Sequence, residues 1–243
     1  MTEEERSRYL DFLRERREQI LQRVADACRR AGRTTDDVTI LGVSKTVGVD
    51  EVALAWRAGW RAFAENRPQE LTRKLEGLRE HPEMSGVRFD MIGNLQTNKI
   101  NHVIGRVGLI HSISSVHLAE EVSKRSVAHG IVSDVLLEVN VSGEESKSGF
   151  APAEVTQALD GLLELPGIRV KGLMTMAPAH DADAARRTFG GLRELRDELS
   201  ARSGRSLATL SAGMSDDFQV AIEEGSTIVR LGRTLFSPDY DLR

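Results

Sequence analysis

The chain has 243 residues, with 37 acidic against 33 basic side chains and a net charge of −4. That length is ample for one large core and matches the usual size of a single (β/α) barrel. The mild acidity argues against broad adhesion to nucleic acid or membrane. The single cysteine, Cys28, excludes an internal disulfide framework and a cysteine-based zinc site. No apolar run is long enough to span a bilayer. The opening Met1, Thr2, Glu3, Glu4, Glu5 and Arg6 are unlike a secretion signal, so a cytoplasmic protein is expected.

Residues 2–31 read as one long helix. Leu10, Leu13, Ile20, Val24 and Cys28 recur on one face, arginine and glutamate cover the other, and Gly32 ends it. Cys28 is therefore expected to pack in a core. Eight strand candidates follow, at 38–43, 61–65, 88–92, 108–112, 134–140, 168–174, 207–211 and 226–231. Several are near-continuous apolar runs, such as Val135, Leu136, Leu137, Glu138 and Val139, which suits a parallel sheet covered on both faces. Helical patterns fill the gaps near 50–58, 67–80, 96–105, 116–129, 152–164, 182–202 and 215–224. The segment 152–164 is the clearest: Pro152 suits a first turn, Val155, Ala158, Leu159, Leu162 and Leu163 form one stripe, and Pro166 with Gly167 stops it. This alternation, with no linker, predicts an α/β protein: one (β/α)8 TIM barrel over residues 1–243, with the helix of 1–33 packed on it. An open doubly wound sheet is the structural alternative, although no glycine fingerprint follows the first strand.

Function in such a barrel gathers at the carboxyl ends of the strands. Those positions hold Lys45; Glu65 and Asn66; Gly93, Asn94 and Gln96; Ser112; Asn140; Met174 and Met176; Ser211 and Gly213; and Arg230, Gly232 and Arg233. The set contains one apparent nucleophile, Lys45. No metal-ligating constellation stands out, and His81, His102, His111, His117, His129 and His180 read as surface or capping residues. A lysine just past a buried strand can be desolvated by the barrel wall and by a cation such as Arg230, lose its proton and attack a carbonyl. The plain alternative is a solvated loop lysine.

Two late turns look able to hold a phosphate. Ser211, Ala212 and Gly213 are small enough for backbone N–H groups to approach an anion, and a helix starting near Met214 would add its dipole. Gly232 follows the eighth strand, where phosphates often bind in this fold. A lysine with a phosphate cradle points to pyridoxal 5'-phosphate. Alternation turns Arg230 into the barrel mouth, where a pyridine nitrogen could accept its hydrogen bond. An arginine there keeps that nitrogen unprotonated, which favours holding the cofactor over demanding carbanion chemistry. Asp216 and Asp217 read as helix caps. The stretch 142–149 reads as a rim loop, with Lys147 in reach of an anion, and it lacks Walker spacing.

The segments Val43-Ser44-Lys45-Thr46, Glu65-Asn66, Ile92-Gly93-Asn94-Leu95-Gln96-Thr97-Asn98-Lys99, Val139-Asn140, Ser146-Lys147-Ser148-Gly149, Gly172-Leu173-Met174, Gly213-Met214-Ser215-Asp216-Asp217 and the run from Gly225 to Gly232 carry a resemblance. Together they resemble the pyridoxal phosphate homeostasis protein family, small relatives of the amino-terminal barrel of alanine racemase. The resemblance implies a (β/α)8 barrel in which Lys45 holds the cofactor as a Schiff base. It implies that Ser211, Gly213, Gly232 and Arg233 surround the phosphate, that Arg230 faces the pyridine nitrogen, and that Asn66 lies near the ring. It implies a monomer or weak homodimer that buffers pyridoxal phosphate and delivers it to dependent apo-enzymes, with no established catalysis. The chain departs from the family pattern at Val47, Gly48, Ala64, Arg67 and Asp90, the last standing where histidine is common. The alternatives are an amino-acid racemase, which needs an opposing acid/base such as Tyr9 or Tyr240, or a cofactor-free barrel with an aldolase-like Lys45.

Overall fold

The computed structural model describes residues 1–144 and 147–242. Eight parallel strands close into a barrel in chain order: β1 (Thr39–Val43), β2 (Ala62–Glu65), β3 (Arg88–Met91), β4 (Ile110–Ile113), β5 (Ser133–Glu138), β6 (Ile168–Met174), β7 (Thr209–Ser211) and β8 (Ile228–Leu231). Closure is made by β1 against β8, with Thr39 opposite Ile228 and Leu41 opposite Arg230. The helices are α1 (Glu3–Arg30), α2 (Val49–Arg57), α3 (Pro68–Gly77), α4 (Val116–Ala128), α5 (Pro152–Leu163), α6 (Ala182–Ser203), α7 (Phe218–Glu223) and α8 (Arg233–Phe236). The barrel expected from the alternation is therefore the fold, and the open sheet is excluded.

The opening helix starts with a capping box, in which Thr2 and Glu5 satisfy each other's backbone N–H groups. It packs where expected. Arg16 donates to the carbonyls of Thr234 and Tyr240, and the Tyr9 hydroxyl donates to that of Phe236. The carboxyl-terminal tail is thus tied to the outside of the barrel near β8. Cys28 is buried in the same layer.

Two expected helices come out differently. Residues 96–105 hold only a 3-10 run, Thr97–His102, in which Asn98 and Asn101 are poor helix formers. The segment expected to be helical from 215 becomes regular only at Phe218, because the Asp217 carboxylate turns back and accepts from the Met214 N–H at 2.6 Å.

The core has two layers. The outer one lies between sheet and helices and takes residues such as Phe63, Phe89, Ile110, Ile113, Leu137 and Leu173. The inner one fills the lumen with Leu41, Val43, Ala64, Leu109, Leu136, Met174 and Ile228. Ile110 and Ile113 both face outward although three residues apart, because β4 carries a bulge: Ile110 pairs Val135 while Ile113 pairs Leu137. Such an extra residue re-aims the side chains beside it. Here the shift turns Ile113 outward, whereas His111 lies inward by plain alternation with Leu109 and Ile110.

Candidate functional site

Lys45 lies two residues beyond Val43, the last inward residue of β1, in a turn at the open mouth. It is exposed, so the expectation of a lysine desolvated by the barrel wall is not met. Position explains this: the strand has ended, and the turn lifts the side chain clear of the packed lumen. Among the described residues its amine has no hydrogen-bond or ion-pair partner.

A second lysine was not legible as part of this region. Lys74 on α3 is fully buried and pairs with Glu65, the last residue of β2, while also donating to the carbonyl of Ser44. The Ser44 hydroxyl donates to the same Glu65 oxygen at 2.6 Å. Glu65 therefore does not serve the mouth as expected; it points into the shell and binds the end of β1 to the end of β2. The other Glu65 oxygen, Oε2, has no partner among the described residues.

Asn66 follows. Its side-chain oxygen is buried and, among the described residues, unpartnered, a costly arrangement that a donor would relieve. Across from it, a Cβ on Gly93 would lie 2.1 Å from the Asn66 carbonyl oxygen, so only glycine lets the ends of β2 and β3 approach this closely. The Ser112 hydroxyl donates to the Gly93 carbonyl at 2.6 Å and fixes that turn. Asn94 and Gln96 are exposed. Asn140 organises its loop, donating to the carbonyls of Glu144 and Lys147 and accepting from Ser142 and Gly143. Lys147 is tied to Glu144 and to the Met176 carbonyl, and Met176 itself is exposed. Ser146 lies outside the described residues.

The lumen below the mouth is polar. Arg230 is buried, and one guanidinium nitrogen donates to the Ser211 hydroxyl at 2.6 Å while the other donates to the Thr175 carbonyl at 3.1 Å. Burial pushes the Arg230 pKa down to about 10, against the charges of Asp217 and Glu138. Burial likewise raises the pKa of both those carboxyls. Ser211, expected at the phosphate, has its hydroxyl committed inside the lumen instead, between Arg230 and His111 Nδ1 at 2.9 Å. His111 is fully buried, contrary to the surface reading, and its Nε2 lies 3.1 Å from Asp90. Asp90 also receives Arg88 at 2.7 and 2.9 Å. Burial raises the Asp90 pKa, but the bonds from His111 and Arg88 outweigh it and hold it below the ordinary aspartate value.

The two late turns meet as one cup, with the Thr234 N–H donating to the Ser215 hydroxyl at 3.2 Å. Gly213 has a φ of +91°, and a Cβ there would strike that of Ala221 at 2.5 Å, so it must be glycine for the turn and for packing on α7. Gly232 differs. Its φ is −99°, and a Cβ would meet nothing nearer than the Val43 carbonyl at 3.5 Å. Protein packing does not demand a glycine there, which fits close approach by a ligand. Arg233 is exposed beside the cup, paired with Asp216 at 2.7 Å and stacked over Tyr240. Asp216 and Asp217 thus hold turns together and neither caps α7 through its side chain.

Comparison with known proteins agrees with the barrel fold. Residues 19–239 match the family model described as alanine racemase, N-terminal domain. A curated pyridoxal phosphate homeostasis protein of Aquifex aeolicus is 44% identical over 223 residues, covering 91% of this chain and 96% of that protein. The crystal structure of an unknown protein from Bifidobacterium adolescentis superposes with a TM-score of 0.89 at 41% identity, over 97% of this chain and 98% of that one. PipY of Synechococcus elongatus, solved with pyridoxal phosphate bound, superposes with a TM-score of 0.80 at 28% identity, over 93% of this chain and all (100%) of that one.

Proposed function

The chain belongs to the pyridoxal phosphate homeostasis protein family, and on that premise we propose that it holds pyridoxal 5'-phosphate at the carboxyl-terminal mouth of its barrel. The observation that carries this reading is the convergence at one mouth of an amine, Lys45, and a buried acceptor, Asn66 Oδ1, both without a partner among the described residues, and of a glycine that packing does not require, Gly232. These residues fit the group. When bound, it supplies an aldehyde that an amine can attack and a ring that withdraws electrons. Lys45 would provide that amine from the solvent-exposed turn that follows β1. Arg230 presents its remaining donors toward the ring nitrogen and, as a poor acid, leaves that nitrogen bare. Gly232, Arg233 and the Gly213–Ser215 turn would hold the anionic end of the group, with Arg233, now paired with Asp216, supplying a cation beside it. Ser211 acts through Arg230 and not on the phosphate. Asn66 accepts from a polar group on the ring.

The role proposed is carriage and delivery of the cofactor in the cytoplasm, by a single barrel domain of residues 1–243 acting on dependent apo-enzymes, without nucleic acid or membrane. Among the described residues, no helix is long and apolar enough to cross a membrane. A racemase would need an opposing acid/base. Tyr9 is bound to the Phe236 carbonyl, and Tyr240 to Asp216 and the Ser215 carbonyl, so both hydroxyls are committed outside the lumen. The test is an absorption titration of purified protein with pyridoxal phosphate. A visible band should grow to one equivalent and be missing in Lys45→Ala; an identical band in that variant sinks the assignment.

A further inference from the structure

The lumen contains a chain of hydrogen bonds whose direction can be deduced link by link. Arginine only donates, so at 2.6 Å the Ser211 oxygen must accept from Arg230. That hydroxyl has one proton left to give, and His111 Nδ1 stands 2.9 Å away. Nδ1 can accept only if it is bare. The imidazole proton then sits on Nε2, where the Asp90 carboxylate takes it at 3.1 Å. The opposite tautomer would set a bare nitrogen against a carboxylate oxygen. A doubly protonated ring would press a second donor on Ser211 and leave the serine proton unplaced. Burial, the largest influence on the ring, also keeps it neutral. One arrangement therefore satisfies every member, and fully satisfied buried networks are rigid.

From these links we infer that Asp90 and His111 are positioning residues for Arg230: they lock the Ser211 hydroxyl as an acceptor and so aim the guanidinium at the mouth from across the barrel. The strut crosses the lumen from β3 and β4 to β7 and β8. Arg88, half exposed at the amino-terminal end of β3, closes its far end on Asp90. That end opens beside a cavity of 510 Å³ lined by Arg88, Asp134 and Lys171. Plain alternation along β4, with Leu109 inward and Ile110 outward, turns His111 into the line. The aim of the guanidinium is a property of the empty barrel; its use on a ring nitrogen rests on the function proposed above.

The test has two arms. In ligand-free protein, nitrogen-15 spectra should show His111 with a bare Nδ1 and a protonated Nε2. The Arg230 guanidinium should show slow rotation about its Nε–Cζ bond. Asp90→Leu and His111→Leu should let that rotation average. Asp90→Asn and His111→Gln, which can restore an acceptor and a donor in the same places, should slow it again. In the second arm, the two leucine variants should bind pyridoxal phosphate about 5- to 10-fold more weakly, the worth of one buried hydrogen bond, and the two amide variants should recover most of the loss. A protonated Nδ1 on His111, or leucine variants with an unchanged Arg230 signal and affinity, would overturn the inference. Wild type that shows the locked signals yet binds no pyridoxal phosphate would instead overturn the proposed function and leave the strut standing.

Discussion

The shell and the lumen are built from the same eight strands, yet they treat buried charge in opposite ways. In the shell, Lys74, Glu65 and Ser44 close on one another behind β1 and β2. In the lumen, hydrogen bonds run in a line from Arg88 through Asp90, His111 and Ser211 to Arg230. The two lysines express the difference. Lys74 is fully buried and paired, whereas Lys45, one residue beyond the Ser44 that Lys74 grips, is exposed and unpartnered among the described residues. A buried pair that closes on itself serves architecture; a group with free valence at a mouth is available for a ligand.

The largest expected effect tests that contrast through stability. Lys74→Met removes the cation paired with Glu65 in the shell, leaves it the Ser44 hydroxyl, and should cost about 3–5 kcal/mol. Lys45→Ala should change stability by no more than about 0.5 kcal/mol. Chemical denaturation measures both, and equal losses would erase the distinction. Next in size, Gly93→Ala forces a methyl against the Asn66 carbonyl and should cost about 1–3 kcal/mol while weakening cofactor binding. Gly232→Ala should leave the melting temperature almost unchanged and reduce affinity alone. Calorimetry set beside a binding titration separates the two glycines. The smallest effect concerns acid. The Asp90 pKa is held down, so the stability it contributes is complete above the ordinary aspartate value and is lost as pH falls through its lower folded value. Asp90→Asn removes that titration, and its stability should fall less steeply than that of wild type as pH drops below the ordinary aspartate value. A parallel decline would mean that Asp90 is not held in the strut.

The barrel was legible because each strand is an apolar run bounded by turn residues, and because the helices between them carry clear stripes. The closure of β1 on β8 follows from that count. Lys45, Asn66, Arg230 and Gly232 were legible because alternation and strand ends place them at one mouth. The rest was hidden for physical reasons. Alternation along β4 does turn His111 inward beside Leu109, but the residues it meets there, Asp90 and Ser211, lie 21 and 100 residues away. Lys74 looks like any helical lysine until α3 is docked over Glu65. Ser211 reads as a turn residue because its partners, His111 and Arg230, lie 100 and 19 residues away. The Asp217 contact with Met214 spans three residues only, yet it competes with a helix cap that uses the same carboxylate.

The central claim is that Lys45 is the amine that takes the cofactor. Borohydride reduction of the protein loaded with pyridoxal phosphate, followed by proteolysis and mass mapping, tests it most directly. The account expects the label on the peptide that contains Lys45 and nowhere else. A label on Lys99 or Lys147, or no covalent label at full occupancy, would contradict it.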